Sequence, residues 1–214
     1  MSELVKAFLL VYAALFPIVN PIGAAPLFLS ATQDCTDRER HGLAGQVGVN
    51  SFFMLLGSLF VGAAVLEFFG ITVPVVRIAG GLVVSVFGWR LLQSGGHLEN
   101  RSAAAHEADR PDGFYPLTMP LTVGPGSISV AVTLGSQRPQ GLSTLAGLEL
   151  PTLGAVAGLA AIAITVYFCY RFATNLVGLL GERGTRVLIQ LSAFVMLCIG
   201  IQIVWNGLSQ LLRL

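Results

Sequence analysis

Two stretches place proline, glycine and small polar side chains inside otherwise apolar sequence. The first is Phe16-Pro17-Ile18-Val19-Asn20-Pro21-Ile22-Gly23-Ala24-Ala25-Pro26, and the second is Met119-Pro120-Leu121-Thr122-Val123-Gly124-Pro125-Gly126-Ser127-Ile128-Ser129. A proline inside a helix removes one backbone hydrogen bond and clashes with the carbonyl four residues back, at a cost of about 3 kcal/mol. Two prolines with glycine and polar neighbours therefore break a helix, and the break frees backbone amides and carbonyls. Freed amides at a half-helix amino terminus attract a carboxylate or another anion. Freed carbonyls at a half-helix carboxyl end attract a cation or an ammonium group. With Asn20, Thr122 and Ser127 beside them, the two breaks would suit a small zwitterion. The candidate binding residues are Asn20, Pro21, Gly23, Thr122, Gly124, Pro125, Gly126 and Ser127.

Arg77 is the remaining residue with unusual chemistry, the one basic side chain set within a membrane-length apolar stretch. An arginine at the centre of a spanning helix costs about 2.5–3.5 kcal/mol on insertion scales, which makes a functional role the default. If its helix begins near Thr72 or Val73, Arg77 lies about one turn inside and its head can snorkel to the interface. Both readings stand on the sequence, and Arg77 joins the candidate solute-binding set. Glu67 is a candidate partner, across a turn through Gly70 and Pro74.

The elements that must hold these residues follow from composition. Of 214 residues, 54% are hydrophobic and 11% are charged, against about 25% charged in a soluble domain. Mean hydropathy is +0.78. Twelve basic and eleven acidic residues are too few for a water-facing surface and are gathered in clusters, so lipid is the main solvent. A formal net charge of +1 offers no field for nucleic acid. Cys35, Cys169 and Cys198 form no paired set, and His41, His97 and His106 lack carboxylate or thiol neighbours at ligand spacing, so neither disulfide nor metal is expected.

A helix needs about 20 apolar residues to cross the hydrocarbon core. The charge-poor intervals 7–33, 42–66, 73–93, 113–137, 150–170 and 187–212 are expected to form six transmembrane helices of an all-α integral membrane protein. The first interval is too long, and too interrupted by Asn20-Pro21 and Pro26, for a signal peptide. Arg38, Arg40, Arg90, Arg101, Arg110, Arg171, Arg183 and Arg186 fall on one side of six crossings, against Lys6, Arg138 and Arg213 on the other. By the positive-inside rule the arginine-rich side is cytoplasmic and both termini face outward, periplasmic in a cell inner membrane.

The polar stretch 94–112, with Gly95-Gly96 and mixed charge, reads as a cytoplasmic linker between a first three-helix repeat, 1–93, and a second, 113–214. An odd number of crossings per half makes the repeats inverted. Helices one and four are then the broken ones, in matching positions. One such motif alone reads as a kink, because proline and glycine are common in membrane helices. A matched pair in inverted halves points to a midplane solute site between them. Gly80-Gly81 and Gly88 give the third helix a small-residue face for close packing, and Gln190 and Gln202 suit inter-helix bonds in the sixth.

No enzyme is expected: the apolar spans contain no histidine or carboxylate to activate a nucleophile, and no phosphate-binding loop is present. Transport would be secondary, coupled to an ion gradient of H+ or Na+, without a cofactor. The leading expectation is alternating-access carriage of a small polar or zwitterionic solute, a neutral amino acid above all. Drug or amphiphile efflux is the first alternative, although it calls for a roomy aromatic pocket. A non-transporting membrane scaffold or regulator is the second. Oligomeric state is left open.

The motifs Asn20-Pro21-Ile22-Gly23-x-x-Pro26-x-Phe28, Arg77-x-x-Gly80-Gly81, Pro120-Leu121-x-x-Gly124-Pro125-Gly126 and Leu180-Gly181-Glu182-Arg183-Gly184, in this order, resemble the MarC family of bacterial and archaeal inner-membrane proteins. The resemblance covers essentially the whole chain. It implies six helices and no cofactor, and carriage of small neutral amino acids such as glycine and alanine in some members. Arg77, lying in a family motif, gains a role beyond snorkelling.

Overall fold

The computed structural model describes residues 2–93, 112–136 and 150–212. The expected linker 94–112 lies outside the described residues except for Asp112. Among the described residues the chain is helical, with a single isolated bridge between Asp112 and Pro116. Helix α1 (Glu3–Val19) and α2 (Pro21–Ala31) meet at Asn20, and α3 (Asp37–Phe60) leads to a short α4 (Gly62–Phe68) and then α5 (Val73–Gln93). In the second half a π-helical segment (Leu117–Thr122) precedes α6 (Pro125–Ser136), α7 (Leu150–Arg171) and α8 (Ala173–Leu212).

Four helices, α3, α5, α7 and α8, are long and apolar enough to cross a membrane, and α1 with α2 makes a fifth when taken as one span bent by 42°. The region expected as the fourth crossing is divided, with six residues in the π-helical segment and twelve in α6. Neither piece alone has the length of a crossing.

Local sequence explains most of the boundaries. Thr36 caps α3 through a reciprocal capping box with Glu39, which satisfies two amides that the first turn would leave bare. Arg40 closes the other side of that turn. Its guanidinium donates to Thr32 Oγ1 at 3.2 Å and to the carbonyls of Thr32 at 3.0 Å and Cys35 at 3.2 Å, fixing a cation at the carboxyl end of α2. Gly70 (φ +68°) follows α4, and Gly181 (φ +63°) interrupts α8 after its first two turns. Both adopt the left-handed backbone that glycine reaches without Cβ strain.

The core is built by small residues that let helix backbones approach. Helix α5 lies along α8: a Cβ on Gly81 would stand 2.7 Å from the Gly200 carbonyl, one on Gly88 would stand 2.8 Å from the Leu197 amide, and one on Gly207 would stand 2.8 Å from the Pro74 carbonyl. The expected small-residue face of the third helix is thus divided: Gly81 and Gly88 meet the last helix, whereas Gly80 meets Ser129 and Pro125 of α6. Helix α1 packs on α7 in the same manner: a Cβ on Gly158 would stand 3.0 Å from the Phe8 carbonyl. Gln202 does not bond between helices as expected; its Nε2 donates to Asn206 Oδ1 at 2.9 Å, one turn along on the exposed side of α8. The outer faces carry Phe53, Phe68, Leu179, Leu191 and Phe194 in the open, as a lipid-facing surface would.

Candidate functional site

The first break is made by one residue. Asn20 takes a left-handed backbone (φ 47°, ψ 57°), a conformation asparagine visits more readily than other side chains that carry a Cβ. It ends α1 by donating its amide to the Phe16 carbonyl at 2.9 Å, and it starts α2 by accepting the Gly23 amide on Oδ1 at 3.2 Å. Pro21 fills the first position of α2, where a missing N–H costs nothing. Gly23 is required by space: a Cβ there would lie 2.6 Å from Ser192 Oγ and would collide with the Asn20 amide group. Among the described residues no hydrogen bond reaches the carbonyl of Val19, although that residue is 2% exposed.

The second break is a widened turn. The amides of Met119, Leu121 and Val123 each donate to the carbonyl five residues back, at 2.9, 3.3 and 2.8 Å, and the hydroxyls of Thr118 and Thr122 do the same at 2.6 and 2.8 Å. Extended backbone at Met119 (φ −115°, ψ 121°) kinks the segment in its middle, extended backbone at Val123 (φ −111°, ψ 96°) ends it, and Pro125 opens α6. Ser127 Oγ donates to the Gly124 carbonyl at 2.9 Å. Gly126 is buried against Val84 of α5, in a place that a Cβ would fill. The carbonyl of Val123, a fully buried residue, accepts no hydrogen bond among the described residues. Buried backbone polar groups are otherwise almost always paired. Both breaks therefore offer acceptor oxygens inside the protein; of the first-turn amides, Gly23 is taken by Asn20 and the two prolines have none, which leaves those of Ile22 in α2 and of Gly126 and Ser127 in α6 without an acceptor among the described residues.

Val19 and Val123 belong to one buried cluster that also holds Ala24, Ala25, Phe28 and Tyr170, so the two breaks share a core. The link between them is aromatic. The Phe28 ring of α2 stacks on the Tyr170 ring of α7 with centroids 4.4 Å apart, and the Tyr170 hydroxyl lies 2.7 Å from Thr122 Oγ1. Because the Thr122 proton is committed to the Leu117 carbonyl, Tyr170 is the donor in that pair. Sequence reasoning missed Tyr170. Next to Arg171 at the end of an apolar run, it reads as an interfacial aromatic, whereas the structure encloses it completely.

Arg77 stands apart from this cluster. It is 9% exposed, and its Nε donates to Thr133 Oγ1 at 3.0 Å. Thr133 falls eight residues after Pro125, which at 1.5 Å per residue places it about 12 Å along α6 from the break. Glu67 is not its partner; that carboxylate is exposed, and the ion pairs between described residues are Lys6–Glu3 and Arg40–Asp37. The structure thus unites Asn20, Pro21, Gly23, Thr122, Gly124, Pro125, Gly126 and Ser127 around two neighbouring breaks and leaves Arg77 at a separate place on α5.

Comparison with known proteins agrees with the motif order. The chain is 30% identical to the UPF0056 inner membrane protein MarC of Salmonella arizonae over 224 aligned residues, covering 100% of this chain and 99% of that protein. The proteins of the same description from Citrobacter koseri and from Escherichia coli O1:K1 / APEC are each 29% identical with the same coverage. No solved structure matches the chain. A family model for MarC family integral membrane proteins matches residues 5–212. The chain belongs to the MarC family of integral membrane proteins.

Proposed function

We propose that this protein is a secondary carrier for a small polar or zwitterionic solute, a neutral amino acid in the first instance, and that the two helix breaks form its binding site. The observation that carries this reading is the pair of carbonyls at Val19 and Val123, in residues at most 2% exposed and without a hydrogen-bond partner among the described residues, each followed within four residues by an amide that is likewise unpartnered there, Ile22 in α2 and Gly126 and Ser127 in α6. Carbonyl edges would take the ammonium of the solute, and the amino termini of α2 and α6 would take its carboxylate. Small side chains at both breaks suit a small solute better than a bulky amphiphile. The reading includes no catalytic activity and no cofactor, and the driving force is an H+ or Na+ gradient.

Alternating access would come from rocking one three-helix half against the other. In this arrangement α1 with α2, α3 and α5 supply three crossings, and the π-helical segment with α6, α7 and α8 supply three more. The helix partners support such a relation. Exchanging the halves maps the α5–α8 and α3–α7 contacts onto themselves, and maps α5–α6 onto α8–α2. Gly70 before α5 and Gly181 within α8 repeat the same device, a short apolar helix turned by a left-handed glycine into the last helix of its half. Both termini would face the periplasm, with Arg38, Arg40 and Arg171 at the cytoplasmic side.

The test is uptake or counterflow of a panel of neutral, acidic and basic amino acids in proteoliposomes at imposed H+ and Na+ gradients. Saturable flux of a neutral amino acid, lost in Asn20→Ala, is the expected result. Absence of flux for the whole panel by protein that remains folded would sink the carrier reading. Alkaline phosphatase fused to either terminus should be active, and its inactivity would overturn the orientation.

A further inference from the structure

Arg77 is the one arginine of the described helices held at depth without a carboxylate, and its surroundings fix where its donors point. Its stem is pinned, because α8 crosses so closely that a Cβ on Gly207 would lie 3.0 Å from Arg77 Cβ. Its Nε is committed to Thr133 Oγ1 at 3.0 Å, which sets the plane of the guanidinium. The N–H groups of Nη1 and Nη2 have no hydrogen-bond partner among the described residues. They are not sealed by protein either. The enclosed side-chain atoms without a partner are Ser51 Oγ and Thr185 Oγ1, and the Nη nitrogens are not among them. A 9% exposed arginine whose fork is accessible and has no acceptor among the described residues can receive an anion there.

We propose that the guanidinium fork of Arg77, oriented by Thr133, is a binding subsite for the carboxylate of a small solute, separate from the two helix breaks. A planar fork with two parallel N–H bonds matches the geometry of a carboxylate, which Lys cannot reproduce. The subsite lies about 12 Å from the α6 break along the helix, near the end of α5 that follows α4, so it would meet a solute before or after the midplane site and not at it. Its role as part of a solute path rests on the carrier reading above; its chemistry does not. Phospholipid headgroups carry a phosphodiester whose two free oxygens can take the same fork, and the test separates the two sources.

The full chain, purified in phospholipid-free detergent, is titrated by thermal unfolding with alanine, propionate and alaninamide. The wild type should gain stability with alanine and with propionate but not with alaninamide, which has no carboxylate. Arg77→Lys should bind propionate roughly tenfold more weakly, having lost the fork. Thr133→Val keeps the charge and the side-chain shape but leaves Nε without its acceptor, so its ligand-free unfolding temperature should fall. Its propionate affinity, read as the shift from that lower baseline, should fall several-fold, and it carries the test if Arg77→Lys does not fold. Equal stabilisation by alaninamide and alanine, or no shift with either carboxylate, overturns the proposal. Wild-type affinity for propionate in both variants also overturns it, and if alanine still binds them the breaks alone hold the solute and the carrier reading survives. An Arg77-dependent shift seen only on adding phosphatidylglycerol assigns the fork to lipid and overturns the solute subsite. Carboxylate binding that depends on Arg77, with no flux in proteoliposomes, leaves the subsite standing and removes the carrier.

Discussion

The two helix breaks are written in similar residues and built in different ways. At the first, one asparagine does the bending: its left-handed backbone ends α1 while its side chain caps α2, and Pro21 fills a position that needs no amide. At the second, no residue has a positive φ; the chain relaxes through a π-helical turn held by threonine hydroxyls, and a tyrosine from α7 steadies that turn from outside. A break that depends on one residue's conformation is stiff and local. A break that depends on a wide turn and a neighbouring helix is coupled to whatever that helix does. In a protein whose halves rock, the second break is the better candidate for the element that changes.

The largest effects should come from the local break. Asn20→Ala places a Cβ residue without a capping side chain in the left-handed region, and backbone strain with the lost cap should cost about 3 kcal/mol. Asn20→Gly should recover most of this, because glycine adopts the conformation freely. Thermal or denaturant unfolding in detergent reads both; equal losses in the two variants would mean that the cap, not the backbone, makes the break. Gly23→Ala comes next, at about 2 kcal/mol, since its methyl must displace Ser192 on α8. An Asn20→Ala/Gly23→Ala double variant should fall short of the sum, because both disturb one contact.

The contrast also marks what the sequence could reveal. Proline and glycine spacing located both breaks to the stretches 16–26 and 119–129, because a helix-interior proline costs a backbone hydrogen bond; it did not single out Asn20 as the bend, and Pro17 and Pro26 stay inside helices. The close approach of α5 to another helix was likewise legible from Gly81 and Gly88. What the sequence withheld was partnership. Nothing local says that Thr133, 56 positions away, holds Arg77 in place of the nearer Glu67. Nothing local says that Tyr170 reaches Thr122, because a tyrosine beside an arginine at the end of an apolar run looks the same whether it faces the interface or the core. The π-helical turn was hidden for a similar reason: its wide hydrogen bonds are completed by Thr118 and Thr122 side chains that serve equally well in ordinary helix. Chain order and motif spacing carry the family and the breaks; the pairings belong to tertiary packing.

At the second break the expected losses are smaller. Thr122→Val removes the bond to the Leu117 carbonyl and strands the buried Tyr170 hydroxyl, for about 1.5 kcal/mol. Tyr170→Phe strands nothing, because Thr122 still donates to Leu117, and should cost about 1 kcal/mol. The order of the two is the informative part. If Tyr170→Phe proves the more damaging, the proton runs from threonine to tyrosine and the turn is held differently from the way its distances imply.

The smallest stability effect should come at Gly124, and it separates architecture from function most cleanly. The nearest atom to a Cβ there is the Pro120 carbonyl at 3.6 Å, an ordinary contact, and the backbone needs no glycine. Gly124→Ala should therefore unfold within about 0.5 kcal/mol of the wild type. Its methyl would nevertheless stand beside the unpartnered backbone of the second break, where a solute would have to approach. Normal stability with reduced flux would place Gly124 at the binding surface. Normal stability with unchanged flux would move the solute toward Asn20, and the stiff break would then be the one that binds.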